Sequence, residues 1–224
     1  MTAGGALRDG ARRRARLDRS RLYLCTDLRR ERGDLQPFLD AVLAAGVDVV
    51  QLRDKHASLR ELRAAAETCR AAADRHGALF VVNDDPQLAA AVDADGVHVG
   101  QDDPPPAVAR QAVGPDRLVG RSTHSRGEVM RALREDCDYF AVGPVHATPT
   151  KEGRPAIGLG PVRLAARVAG RRPWFVTGGM AVDTIREVGA AGARRFVVVR
   201  AIAQAHDPGA AVRALTGMVD RPFA

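Results

Sequence analysis

Among 34 basic residues, this 224-residue chain uses lysine only twice, at Lys55 and Lys151. Lysine is a compact point charge and arginine a planar fork, so a tight anion site built for one is not served by the other. Both lysines sit in chemically dense stretches. Lys55 ends QLRDK (51–55), which also carries Gln51, Leu52, Arg53 and Asp54. Lys151 follows Thr148, Pro149 and Thr150 in GPVHATPTKEGRPAIG (143–158), a long polar segment suited to a lid. Arg53, Lys55 and Lys151 drawn together would suit a diphosphate, which carries about two to three negative charges.

Carboxylates supply the complementary chemistry. Asp84 follows Asn83 in VVNDD, and Asp103 closes GVHVGQDD. One or two carboxylates plus substrate phosphate oxygens make a usual Mg²⁺ site. Asp85, Asp95 and Asp102 are the neighbouring alternatives, and Asp85 has a plainer role as cap of a helix starting at Pro86. Gly178-Gly179 and Val199-Arg200 could offer backbone N–H groups to a second anion. Ser122 and His124 invite a nucleophile–base pairing, but side chains two residues apart seldom meet and no G-x-S-x-G elbow surrounds the serine. His98, inside GVHVG, reads as a supporting or packing residue, and His146 as part of the polar loop.

These groups run from position 51 to position 200, so a fold must gather them. Short apolar, β-branched runs recur at 21–25, 47–53, 79–84, 96–100, 118–122, 139–145, 174–179 and 195–200. Their near-continuous hydrophobicity suits strands covered on both faces. Helical patterns fill the gaps, at 35–45, 58–76, 86–92, 104–112, 125–135, 160–169, 181–190 and 207–218. Ser58 and Gly77 are start and stop signals for the clearest of them. Eight alternations of strand and helix predict an α/β fold, a (β/α)8 TIM barrel in a single domain over 20–224. A doubly wound sheet is the alternative, but no G-x-G-x-x-G follows the first strand. In a barrel the C-terminal strand ends converge on one mouth, and most of the candidate residues stand at such ends.

Residues 1–20 hold six Arg and two Asp, a net +4 of the chain's +7. They read as a disordered basic extension over 1–19, with nucleic-acid binding as the less favoured alternative because no aromatics interleave with the charge. The start lacks the apolar segment of a secretory signal, no run is long enough to span a bilayer, and the three cysteines are scattered. A cytoplasmic protein with neither membrane nor nucleic-acid partners is expected. Monomer and homodimer both stay open.

The stretches QLRDK (51–55), VVNDDPQLA (81–89), ADGVHVGQDD (94–103), GRSTHS (120–125), DYFAVGPVHATPTK (138–151), TGGM (177–180) and GARRFVVVRAI (192–202) together resemble the thiamine-phosphate synthase family. That resemblance implies a transferase acting on two small molecules, a hydroxymethylpyrimidine diphosphate and a thiazole phosphate. By motif position it implies that Gln51, Leu52, Arg53, Asp54, Lys55 and Asn83 hold the pyrimidine diphosphate, with Ser122 and Lys151. Arg53, Lys55, Ser122 and Lys151 would be the catalytic set. Asp84 and Asp103 would bind one Mg²⁺. Thr148, Pro149, Thr150, Gly179, Val199 and Arg200 would take the thiazole phosphate. The family commonly carries Ser where Arg200 stands. A thiazole tautomerase-like relative on the same barrel, using a histidine such as His124, is the rival.

Overall fold

The computed structural model describes residues 9–148 and 155–219. Pro149, Thr150 and Lys151, and with them most of the expected lid, lie outside the described residues.

Ten helices and eight strands follow in chain order among the described residues. They are α1 Gly10–Arg19, β1 Leu22–Thr26, α2 Leu35–Ala44, β2 Val49–Leu52, α3 Leu59–His76, β3 Leu79–Asn83, α4 Pro86–Ala91, β4 Gly96–Val99 and α5 Pro106–Val113. Then come β5 Leu118–Thr123, α6 Arg126–Ala132, β6 Tyr139–Val142, α7 Gly160–Val168, β7 Trp174–Val176, α8 Val182–Ala190, β8 Phe196–Val198, α9 Arg200–Ala203 and α10 Pro208–Val219. Each strand pairs in parallel with the next and β8 returns to β1, closing the expected barrel.

Alternation along the strands makes two cores. Leu22, Leu24, Val50, Phe80, Val97, Val119, Phe140 and Val198 face outward and pack against the helices. Tyr23, Cys25, Val49, Leu79, Val81, Leu118, Tyr139, Phe175 and Val197 fill the barrel interior. Local signals agree with the tertiary fold. Ser58 and Glu61 form a capping box on α3, and Gly77 ends it in the left-handed conformation. Asp85 caps α4, accepting from Leu88 N at 2.8 Å. No helix of the described residues is long and apolar enough to cross a membrane.

The N-terminal segment departs from expectation. Residues Gly10–Arg19 are helical, not disordered, and α1 closes the barrel from its N-terminal end. Leu17 joins the interior core. Arg13 is buried and its Nε donates to Asp95 Oδ1 at 2.9 Å, while Arg70 reaches the other oxygen at 2.6 Å. Arg14 bonds Asp138 at 2.7 Å. Asp95 and Asp138 stand just before β4 and β6, where their carboxylates also accept the Phe80 and Val119 N–H groups. Arginines of the basic run are thus partners for carboxylates far along the chain.

Breaking a buried ion pair from one side leaves a buried charge short of a partner. Arg13→Ala is therefore expected to destabilise the fold by about 3 kcal/mol. Exposed Arg19→Ala should change it by less than about 0.5 kcal/mol. Urea unfolding midpoints of the two variants check this.

Candidate active site

The C-terminal strand ends surround a cavity of about 1300 Å³. Its lining includes Gln51, Arg53, Asp54, Lys55, Asn83, Asp84, Asp103, Ser122, Thr148, Gly179, Val199 and Arg200. Leu52 is the exception among the described candidates. Inward and outward positions alternate, so its side chain is buried on the helix-facing side and cannot reach a ligand.

The cationic wall comes from the loop after β2. Arg53 is half-buried and Lys55 is exposed, with its Nζ 3.7 Å from Asp84 Oδ2. Asp54 accepts from His56 N at 2.9 Å, which shapes the turn that carries Lys55.

Asp84 follows β3 directly and adopts φ 63°, a left-handed conformation that aspartate tolerates better than most residues. Its N–H donates to His98 O at 2.9 Å, which ties that turn to β4. Asp103 is held by Gly100 N, which donates to its Oδ2 at 2.6 Å. Gln101 Nε2 donates to Ser122 O at 2.5 Å, and the buried Arg121 guanidinium donates to Gly100 O. Both loops are thereby fixed, and the two carboxyls line the same cavity. Asp84 is pushed up to about 6, by burial first and then by the Asp103 carboxyl, while Lys55 and Arg53 pull it back.

Across the cavity, Gly178 and Gly179 follow β7. Gly178 has φ 99°, and an added Cβ would fall 2.5 Å from Pro144 Cα, so only glycine lets the two loops approach. Val199 precedes the short α9, and exposed Arg200 opens it.

Below these groups lies a polar layer. Gln51 Nε2 donates to Asn83 Oδ1 at 2.6 Å, and Tyr23 Oη donates to Gln51 Oε1 at 2.9 Å. Tyr23 and Tyr139 hydroxyls are 3.0 Å apart, Tyr139 Oη lies 3.2 Å from His98 Nδ1, and His98 Nε2 lies 2.9 Å from Ser122 Oγ. Ser122 therefore partners His98. His124 turns instead to Gly143 O, with its backbone N–H on Glu128.

A family model described as thiamine monophosphate synthase matches residues 22–202. The thiamine-phosphate synthase of Mycolicibacterium vanbaalenii is 54% identical over 213 residues, covering 91% of this chain and 96% of the relative. That of Thermobifida fusca is 55% identical over 203 residues, covering 90% and 93%. The chain belongs to the thiamine monophosphate synthase family. Members carrying that name are transferases, and this chain is an enzyme of that class. The structure of a thiamine phosphate pyrophosphorylase from Pyrococcus furiosus superposes with a TM-score of 0.82 at 30% identity, covering 94% of this chain and all of that one.

In this synthase-family barrel, the residues that sequence reasoning passed over are Tyr23, Tyr139 and the bonding role of His98. One signal was available. The chain has only two tyrosines. Each stands in a strand at a position where the alternation turns a side chain inward.

Linkage gives the Asp84 shift a direction. The folded chain binds its proton more tightly than the unfolded chain, so the charged form costs stability. The cost is absent below the ordinary value of 3.8, grows toward about 6, and is complete above that. With a chelator present, Asp84→Asn should stabilise the protein by about 1–2 kcal/mol at pH 8 and leave it unchanged near pH 3.5. Denaturant unfolding at the two pH values measures this.

Proposed function

We propose that the chain joins 4-amino-2-methyl-5-(diphosphooxymethyl)pyrimidine to hydroxyethylthiazole phosphate, or its carboxylated form, giving thiamine phosphate and pyrophosphate. The observation that carries this proposal is the meeting in one cavity of Arg53 and Lys55, the Asp84–Asp103 pair, and the Gly178-Gly179 turn with Val199. A cationic wall beside paired carboxylates suits a metal-bound diphosphate. A glycine turn on the opposite wall suits a phosphate held by backbone N–H groups.

The roles follow from placement. Arg53 and Lys55, with Lys151 from outside the described residues, stabilise charge that accumulates on departing diphosphate. The bond between the pyrimidine methylene carbon and the diphosphate oxygen breaks heterolytically, and the electron pair leaves with the oxygen. The aminopyrimidine ring shares the positive charge left on the methylene, and the thiazole nitrogen lone pair then forms the new C–N bond. Gln51, Asn83 and Ser122 hold the ring, and Asp54 shapes the Lys55 turn. Thr148, Gly179, Val199 and Arg200, with Pro149 and Thr150 beyond the described residues, hold the thiazole phosphate. Holding both partners in line supplies most of the remaining acceleration.

Asp84 and Asp103 fit one Mg²⁺, because burial and the Asp103 carboxyl raise the cost of the Asp84 charge and a divalent cation removes that cost. When bound, Mg²⁺ would neutralise charge on the diphosphate oxygens.

Pyrophosphate release should require both substrates and Mg²⁺, and omission of any one should abolish it. Lys55→Ala should lower kcat by roughly 10²-fold, and Lys55→Arg should not restore it. A coupled pyrophosphate assay checks all of these. Release from the pyrimidine diphosphate alone at the full rate would point to a hydrolase.

A further inference from the structure

Six polar side chains cross the barrel interior as one continuous line, Asn83–Gln51–Tyr23–Tyr139–His98–Ser122, built from six different strands. Gln51, Asn83 and Ser122 belong to the pyrimidine side of the proposed site, whereas the other three have so far no part in the chemistry. All but Asn83 are buried.

With the His98 imidazole neutral, counting protons along the line assigns each donor. The Tyr23 hydroxyl has one proton, and it goes to Gln51 Oε1. Tyr23 oxygen must then accept from the Tyr139 hydroxyl. With its own proton spent, Tyr139 oxygen can only accept from His98 Nδ1–H. A neutral imidazole carries one N–H, so Nε2 is bare and accepts from the Ser122 hydroxyl. At the other end, Asn83 Oδ1 is occupied by Gln51 Nε2–H, which leaves the Asn83 amide N–H groups for a ligand.

We propose that Tyr23, Tyr139 and His98 are positioning residues that fix the hydrogen-bond polarity of the pyrimidine subsite, presenting Ser122 oxygen as an acceptor and the Asn83 amide as a donor, and thereby select an aminopyrimidine over its oxo counterpart. This rests on the proposed reaction. An aminopyrimidine offers an amino N–H donor and a bare ring nitrogen, which suit an acceptor and a donor respectively. The oxo form offers a carbonyl beside a ring N–H, the reverse pattern. A site with committed buried hydrogen-bonding groups rejects a reversed partner strongly, because the mismatched groups stay unsatisfied.

The fold makes room for this line at a specific place. Gly120 lies on β5 beneath the Tyr139–His98 contact, and a Cβ there would sit 2.5 Å from both His98 Nδ1 and Tyr139 Oη. No side chain other than hydrogen leaves that bond intact. Burial pushes both tyrosine hydroxyls up, so they keep the protons that the line needs.

The tautomer is open to direct measurement. In the full-length, ligand-free protein, ¹⁵N NMR of the His98 imidazole, assigned by its loss in His98→Gln, should show the Nδ1–H form. Turnover should be compared for the aminopyrimidine diphosphate and its 4-oxo analogue. The wild type should prefer the amino form by roughly 10²-fold or more. Tyr139→Phe keeps the ring but removes the acceptor for Nδ1–H, and should lower that preference about tenfold through the pyrimidine KM. The thiazole-phosphate KM should stay unchanged. A general loss of packing would lower both substrates alike and leave the ratio alone. If Tyr139→Phe does not fold, Tyr23→Phe and the wild-type tautomer decide the matter. An Nε2–H tautomer in the wild type, or an unchanged ratio in a folded hydroxyl-less variant, overturns the proposal. A wild type inert toward the amino substrate would overturn the proposed reaction instead, and the tautomer would still decide the polarity of the line.

Discussion

A polar side chain turned into a closed barrel is cut off from bulk water, so it must bond to another strand's residue or destabilise the fold. That constraint divides this molecule in two along its axis. Toward the N-terminal end the interior is apolar, with Val49, Leu79, Leu118, Phe175 and, from α1, Leu17. Above it lies the line from Asn83 to Ser122, in which the two tyrosines, the histidine and the glutamine spend their hydrogen-bonding capacity on one another. Charged groups stand outside this interior, at the mouth above it and at the floor below it.

The two ends of the barrel treat charge in opposite ways. At the N-terminal end the two carboxylates beneath α1 are matched: Asp95 meets Arg13 and Arg70, and Asp138 meets Arg14 and Arg110. The buried Arg13–Asp95 pair and the part-exposed Arg14–Asp138 pair hold α1 in place across the barrel floor. At the mouth, matching is incomplete. Asp84 faces another carboxyl, its Lys55 contact is long, and its pKa stands near 6 rather than in the ordinary range. Charge held out of balance by a rigid scaffold is what a charged ligand can complete, and it concentrates where strand ends converge.

Much of this was legible in the chain. Apolar runs gave all eight strands, since strands covered on both faces cannot hide their hydrophobicity. Ser58, Gly77 and Asp85 act locally, and each sits where its type requires. Asp84 and Asp103 were recognisable as strand-end carboxylates near one mouth. What escaped depends on partners distant in sequence. The arginines of 10–19 look like a solvated run until Asp95 and Asp138 are brought beneath them. Leu52 lies within the same short motif as Gln51 and Arg53, yet strand alternation turns it to the helices. Ser122 is nearer in sequence to His124, but pairing of β4 with β5 gives it His98.

The central claim is that the mouth is an incomplete charge arrangement finished by a divalent cation and a diphosphate together. Calorimetric titration of pyrophosphate, with and without Mg²⁺, tests this most directly. The account predicts that Mg²⁺ tightens pyrophosphate binding by at least about tenfold in the wild type, and that the Asp84→Asn/Asp103→Asn double variant loses this coupling. Equal pyrophosphate affinity with Mg²⁺ and with chelator in the wild type would contradict it.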